Sequence, residues 1–251
     1  MATPPIRLLP QRGRMALANH VLSILSKDDL ALLQPHLEPV ELAFRMSAEE
    51  PNVPIKFAYF PQDGIVSVVA NGGRGRVVEV GIIGRDGVTA QPVIMGTDRS
   101  ANATFVQVEG SGHRIDAEIF RNAIRKSVTL QHTLLSVVQA FHMQASHTAL
   151  ANGTGKIEER MARWLLMAHD RLRGDELPLT HEFLAIMLGV RRAGVTVALQ
   201  NLEAAGLIGT KRKVIEVRDR AGLLKLAADI YGVPEAEQAR LTGWKSNKST
   251  K

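Results

Sequence analysis

Two adjacent arginines, Arg191 and Arg192, are followed at four-residue steps by Thr196 and Gln200. Such steps place side chains on one face of a helix. Guanidinium groups donate paired hydrogen bonds to phosphates or to guanine edges, and hydroxyls and amides can meet either kind of group. Further along, Lys211-Arg212-Lys213 puts three cations in succession. Upstream, Thr180 has the hydroxyl of a helix N-cap and can also face a phosphate. A donor-bearing helix face next to a cationic turn has the chemistry of a nucleic-acid contact.

The surrounding residues would position those groups. Leu184 and Leu188 lie four apart on one helix face, and Ala185 is small enough for a second helix to approach. Gly189 falls where the chain must turn sharply, in a conformation glycine adopts without steric cost. Val190 would plug the corner. Val195, Ala198, Leu199 and Leu202 give the second helix an apolar stripe opposite its polar face. Leu207-Ile208 and Val214 to Val217 then read as two short strands with Lys211 to Lys213 at their turn. A plain helical hairpin with a solvated charged face explains the first part of this pattern. The basic hairpin that follows favours a helix-turn-helix with a β-wing.

Composition sets the outer limits. The chain has 251 residues, enough for two domains, with 45% hydrophobic and 22% charged residues and a net charge of +6. From Gly153 onward there are 17 Lys/Arg against 12 Asp/Glu, so most of the positive excess lies where the donor face lies. The absence of Cys excludes disulfides, cysteine-ligated zinc and iron–sulfur clusters. Aromatics at 4% are too few for a base-stacking RNA platform. No secretory leader and no apolar run of about 18 residues is found, so a cytoplasmic protein without a membrane partner is expected.

Before the donor face the chain divides into regions. Residues 1 to 16, with several Pro and Arg, read as a flexible arm. Residues 17 to 37 suggest two short helices that break at Ser26 to Asp29. Between Pro39 and Ile115, short strands are expected at 57–60, 65–69, 77–83, 103–108 and 113–115. Glycine-bearing turns separate them, as in an antiparallel sandwich or roll. Asp116 caps a helix reaching Lys126. A longer helix covers 128 to 151, where Leu130, Leu134, Val137 and Phe141 step by four, three and four. That stripe predicts a subunit-pairing seam; packing on the chain's own strands is the alternative. Asn152-Gly153-Thr154-Gly155 reads as a hinge, 157 to 172 as an amphipathic helix, 219 to 231 as a closing helix, and 245 to 251 as a basic, disordered tail.

Enzyme motifs are lacking. Gly153-Thr154-Gly155-Lys156 has neither the upstream Gly nor the Ser/Thr of a phosphate loop, and His181-Glu182 lacks the second His of a zincin. Gly110-Ser111-Gly112 has the wrong spacing for a nucleophile elbow. His132, His142 and His147 do not share one helix face, so no metal site is expected.

Thr180 to Ala185, then Leu188 to Arg192, with Val195 and Leu199 to Glu203, resembles the winged helix of the cyclic-AMP receptor protein and fumarate-nitrate regulator (Crp/Fnr) superfamily of bacterial transcription factors. The resemblance implies an α+β chain with an N-terminal antiparallel β-roll sensor domain over 17–126. A dimerisation helix over 127–152 and a C-terminal winged helix-turn-helix domain over 153–231 follow. It implies a homodimer that binds palindromic double-stranded DNA and regulates transcription, with RNA polymerase among the implied partners. The family's recognition helix reads bases with an Arg, a Glu and a second Arg. Arg192 falls on the first, Ala193 and Val197 on the others, so the best-known operator is not carried over. In the sensor, Arg99-Ser100-Ala101 matches the second part of the family's cyclic-phosphate cassette. The cassette's ribose-binding Glu is replaced at Ala90-Gln91. Arg99, Ser100 and Gln91 are therefore the candidate effector residues, while cyclic AMP is disfavoured and no cofactor is assigned. A ligand-binding or protein-docking module that does not bind DNA is the competing reading.

Overall fold

The computed structural model describes residues 7–8, 18–72, 76–246 and 248. Two short helices, α1 (His20–Ser23) and α2 (Lys27–Leu33), open the N-terminal domain, and a 3-10 turn at Gln34–His36 follows them. Ser26 Oγ accepts the Asp29 N–H at 3.0 Å and caps α2 at the expected break. Among the described residues seven antiparallel strands then form two sheets: β1 (Glu38–Leu42), β2 (Ser47–Glu49), β3 (Phe57–Pro61), β4 (Ile65–Gly72), β5 (Arg76–Ile83), β6 (Ala103–Val108) and β7 (Gly110–Asp116). One sheet has the order β1-β7-β3, the other β2-β6-β4-β5. A short helix, α3 (Gln91–Ile94), lies between β5 and β6. The expected strands are all present. The sequence reading did not include β1, β2 or α3, which are short or interrupted by Pro39 and Pro92.

Asp116 caps α4 (Ala117–Lys126), its Oδ1 accepting the N–H groups of Glu118 and Ile119. The long helix α5 runs from Val128 to Thr154. It continues through Asn152 and Gly153, so the expected hinge shrinks to Gly155-Lys156, where the Gly155 N–H still reaches Ala151 O at 2.9 Å. The seam reading of α5 needs correcting. Leu130 and Leu134 are 0% exposed and Val137 is 3% exposed within a single chain. They pack with Phe60, Phe120 and Ile115 in the core of their own domain. Phe141 is half-buried and lies against the core between the sheets. These four residues leave little surface for a second subunit. The cause is that α5 is apolar on both faces, so the sequence stripe alone does not tell which face the chain uses for itself. A second stripe, Leu135, Val138, His142, Ala145 and Ala149, again in steps of three and four, is exposed or only half-buried in the single chain.

The C-terminal domain comprises α6 (Ile157–Arg171), β8 (Glu176–Leu177), α7 (His181–Leu188), α8 (Arg192–Ala204), β9 (Ile208–Lys211), β10 (Val214–Val217), α9 (Arg220–Leu226) and α10 (Val233–Thr242). Its three strands are ordered β8-β10-β9. The closing helix expected over 219–231 ends at Leu226, and α10 was not foreseen. It turns back to pack along α5. Of the expected N-terminal arm, residues 1–6 and 9–16 lie outside the described residues, while Leu8 bridges to Val40 of β1. Of the expected basic tail, 247 and 249–251 lie outside them. Lys248 is placed, with its ammonium donating to Gly174 O. One apolar core runs from Trp164 and Leu165 of α6 through Leu184 and Leu199 to Ile65 and Val108 of the β-roll. Among the described residues no helix is long and apolar enough to cross a membrane.

Candidate nucleic-acid interface

Helices α7 and α8 meet at a turn whose conformation depends on glycine. Gly189 has φ +60°, and an added Cβ would also come within 3.3 Å of Val78 on β5. The Gly189 and Val190 N–H groups close the end of α7 on Ile186 O and Ala185 O. Thr180 Oγ1 accepts the Phe183 N–H at 3.3 Å, so its hydroxyl is the helix cap. Leu184 and Leu188 of α7 face Val195, Ala198, Leu199 and Leu202 of α8, all buried. This apolar seam fixes the rotation of α8 and leaves its other face outward.

Arg191, Arg192 and Gln200 are exposed on that outward face, with Ala193 and Val197 between them. Thr196 is half-buried. Its Oγ1 donates to Arg192 O at 3.2 Å, the usual intrahelical bond of a helix threonine, and lies 3.3 Å from His181 Nδ1. Val197, 53% exposed, is an apolar group on the same outward face. The wing is a tight hairpin in which Lys211 pairs with Val214 and Lys213 takes φ +62°. Lys211, Arg212 and Lys213 are all exposed. Lys211 Nζ lies 3.0 Å from Glu176 Oε1 on β8, an ion pair that raises the Lys211 pKa.

Glu203, to which the sequence assigned no role of its own, clamps the wing to α8. Its carboxylate accepts the Thr210 N–H and the Thr210 hydroxyl, both at 2.8 Å, and those bonds lower its pKa. It closes the Leu199 to Glu203 stretch, but its partner is fixed only once β9 folds back. Arg192, Thr180, Lys211 and Lys213 line one groove of about 810 Å³, and Phe44 and Arg45 of the β-roll form part of its far wall. The Phe44 ring meets Phe183 edge-on at 5.4 Å, and Arg45 lies 3.9 Å from Glu182.

The effector candidates separate. Arg99 forms a two-bonded pair with its neighbour Asp98, at 2.9 and 3.0 Å, and both are solvent-accessible. That pair raises the Arg99 pKa and lowers that of Asp98. Ser100 and Gln91 instead line a cavity between the four-stranded sheet and α5. The triplet Arg99-Ser100-Ala101 therefore does not place its cation at the cavity.

Residues 159–226 match the Crp-like helix-turn-helix domain family. In architecture the chain is similar to a putative Crp/Fnr-family transcriptional regulator from Eubacterium rectale. That similarity covers 83% of this chain and 97% of the other at 17% identity, with a TM-score of 0.65. It is also similar to a CRP-family transcriptional regulator from Thermus thermophilus, TTHB099 (18% identity, 75% and 96% covered, TM-score 0.64). FixK2 from Bradyrhizobium japonicum is a third such structure (17% identity, 76% and 96% covered, TM-score 0.63). No match is found among curated proteins. The C-terminal domain is thus a Crp-like DNA-binding helix-turn-helix, carried on a β-roll and long helix of the Crp/Fnr fold.

Proposed function

We propose that this chain is a sequence-specific regulator that binds palindromic double-stranded DNA as a dimer and is switched by an effector. The observation that carries the reading is the outward face of α8: Arg191, Arg192 and Gln200 stand exposed on a helix whose opposite face is buried, with the Lys211 to Lys213 wing beside it. A recognition helix presented this way places its amino end against base edges in the major groove while wing cations meet phosphates. With Ala193 and Val197 at reading positions, thymine methyl contacts and DNA deformability carry more of the specificity than in an Arg-Glu-Arg reader.

Pairing of subunits is assigned to the outward stripe Leu135, Val138, His142, Ala145 and Ala149 of α5, since the inward stripe is already used. A two-fold pair of α5 helices would present two recognition helices to half-sites about one helical turn apart. Switching is supported by the docking of the winged helix on its own β-roll. Phe44 and Arg45 line the same groove as Arg192, so on this reading a shift of the winged helix against the β-roll would change what the first turn of α8 faces.

The test is a salt series on a palindrome selected from random sequence, with an unrelated duplex alongside. Preference for the selected site by a factor of about 10³ or more, with affinity falling steeply as salt rises, is expected of a specific binder. Equal, weak binding to both duplexes would leave the protein-docking reading in its place.

A further inference from the structure

The cavity between the β-roll and α5 has a volume of about 770 Å³. Its walls are mainly apolar: Val68, Val80 and Ile83 from β4 and β5, Leu135, Val138 and Phe141 from α5. Its polar groups are neutral amides and hydroxyls, such as those of Gln91, Ser100, Asn102 and Thr104, with one imidazole, His142, and one carboxyl, Glu49. No Lys or Arg lines it among the described residues. Arg99, the nearest candidate in sequence, is paired with Asp98.

Glu49 is the decisive group. It is buried, and its Oε1 accepts the Ala90 N–H at 2.7 Å, the amide at the start of α3. An anion approaching that amide would meet a carboxyl already in place. Moving an anion into an apolar cavity with no cation to pair it is strongly unfavourable. A neutral donor meets the opposite situation. A carboxyl oxygen has two lone pairs, so Glu49 retains acceptor capacity beyond the bonds from Ala90 and Thr104. Ligand cavities commonly pair such apolar walls with a few polar groups that fix orientation.

We infer that this cavity binds a mainly apolar small molecule carrying an uncharged N–H or O–H donor directed at Glu49, and that it rejects phosphorylated ligands. The inference rests on the regulator reading only in making this molecule the effector. Leu135, Val138 and His142 line the cavity and also belong to the outward stripe of α5, so a molecule held there touches the surface assigned to the second subunit. Burial raises the Glu49 pKa, with the bonds from Ala90 and Thr104 opposing it.

The probe is N-phenyl-1-naphthylamine, a neutral apolar fluorophore with one N–H, titrated into the full chain. Saturable binding of one probe per chain is expected, at least tenfold tighter than 1-naphthyl phosphate, with no competition by millimolar cyclic AMP. Val80→Trp and Ser100→Trp fill the cavity from two different elements. Each should weaken the probe at least tenfold while the protein still melts cooperatively, and having two keeps the test valid if one fails to fold. Glu49→Gln should narrow the preference over 1-naphthyl phosphate by several-fold. The inference is overturned if the phosphate probe or cyclic AMP binds as tightly as the amine. It is equally overturned if no probe binds, or if both filled variants bind it unchanged. The salt series on DNA is read separately with the same preparation. DNA binding without probe binding removes this inference alone, and probe binding without DNA binding removes the regulator reading alone.

Discussion

At the scale of single residues, the proposed recognition face would make two kinds of contact. Arg192 stands exposed at the first turn of α8, where a guanidinium can make two bonds to one guanine. Arg192→Ala should cost about 1–3 kcal/mol on the selected site and relax preference at one base pair per half-site. Arg212 on the wing should meet phosphate, so Arg212→Ala should weaken binding to every duplex alike and reduce the salt slope by about one. Equal, sequence-independent losses in the two variants would mean that Arg192 does not read a base. A second residue-scale prediction concerns Glu79, which is buried where β5 meets α6. Ser67 Oγ lies 2.7 Å and Trp164 Nε1 2.6 Å from its carboxyl, with the Arg163 and Arg171 charges nearby and Gln107 bonded to the same Ser67. Burial outweighs those stabilising groups and pushes its pKa up from 4.5 to about 7. The folded protein therefore holds a proton that the unfolded chain releases, and stability falls as pH rises between about 4.5 and 7. A shift of that size corresponds to roughly 3 kcal/mol as an upper limit. Buried His113 and His169, whose pKa values are lowered, work in the opposite sense over the acid part of that range. Comparing wild type with Glu79→Gln cancels them. The stability difference between the two should change by one to a few kcal/mol between pH 5 and pH 8 in denaturant titrations, in favour of the variant at high pH. A constant difference would show that Glu79 does not hold the proton.

Among the elements, α5 gives the sharpest contrast because two adjacent leucines differ in burial. Leu134 is fully buried in its own domain, and Leu135 is 39% exposed. Leu134→Ala should cost about 2–5 kcal/mol of stability through the cavity it leaves. Leu135→Glu should leave folding intact and shift sedimentation from dimer to monomer. A Leu135→Glu protein that remains dimeric would place the pairing surface elsewhere. The same helix shows how far sequence reading could go. The helix-turn-helix was legible because each position has a local demand: Gly189 for positive φ, Thr180 for the cap, Leu184 and Leu199 for the seam. The strands of the roll were legible from alternation and turn glycines. The facing of α5 was not, because apolar residues on both faces give two overlapping stripes. Arg99 was misplaced for a related reason. A matched triplet fixes residue type, but whether the guanidinium enters the cavity depends on Asp98 beside it. Glu49 and Glu203 were missed because a glutamate's partner, Ala90 in one case and Thr210 in the other, is set by folding at a distance.

Over the whole molecule, the two domains are joined by a buried charge pair and by the returning C-terminal helix. Asp86, just past the end of β5, pairs with Arg171 of α6 at 2.7 Å, and the two side chains are 3% and 2% exposed. The other Arg171 nitrogen donates to Met167 O, and its guanidinium lies 5.6 Å from the Trp244 ring. Asp86 also accepts Gln238 of α10 at 2.7 Å, so one carboxylate ties the β-roll to both α6 and α10. The backbone makes room for this arrangement: a Cβ at Gly84 would come within 2.9 Å of the Arg171 side chain. Removing one member of a buried pair leaves the other charge uncompensated, at a cost of about 3–5 kcal/mol. Asp86→Asn keeps the shape and removes the charge. For a chain of this size it should lower the melting temperature by on the order of 10 °C. Asp98→Asn, which breaks an exposed pair, should leave the melting temperature unchanged. A buried pair replaced on both sides by apolar groups often recovers most of what a single removal loses. Asp86→Leu combined with Arg171→Met should therefore melt higher than Asp86→Asn, though short of wild type, because Gln238 and the Gly84 N–H lose their acceptor. If Asp86→Asn melts with wild type, the pair does not hold the domains together. If the double variant melts no higher than the single one, Asp86 acts through its hydrogen bonds to Gly84 and Gln238 rather than through the charge on Arg171.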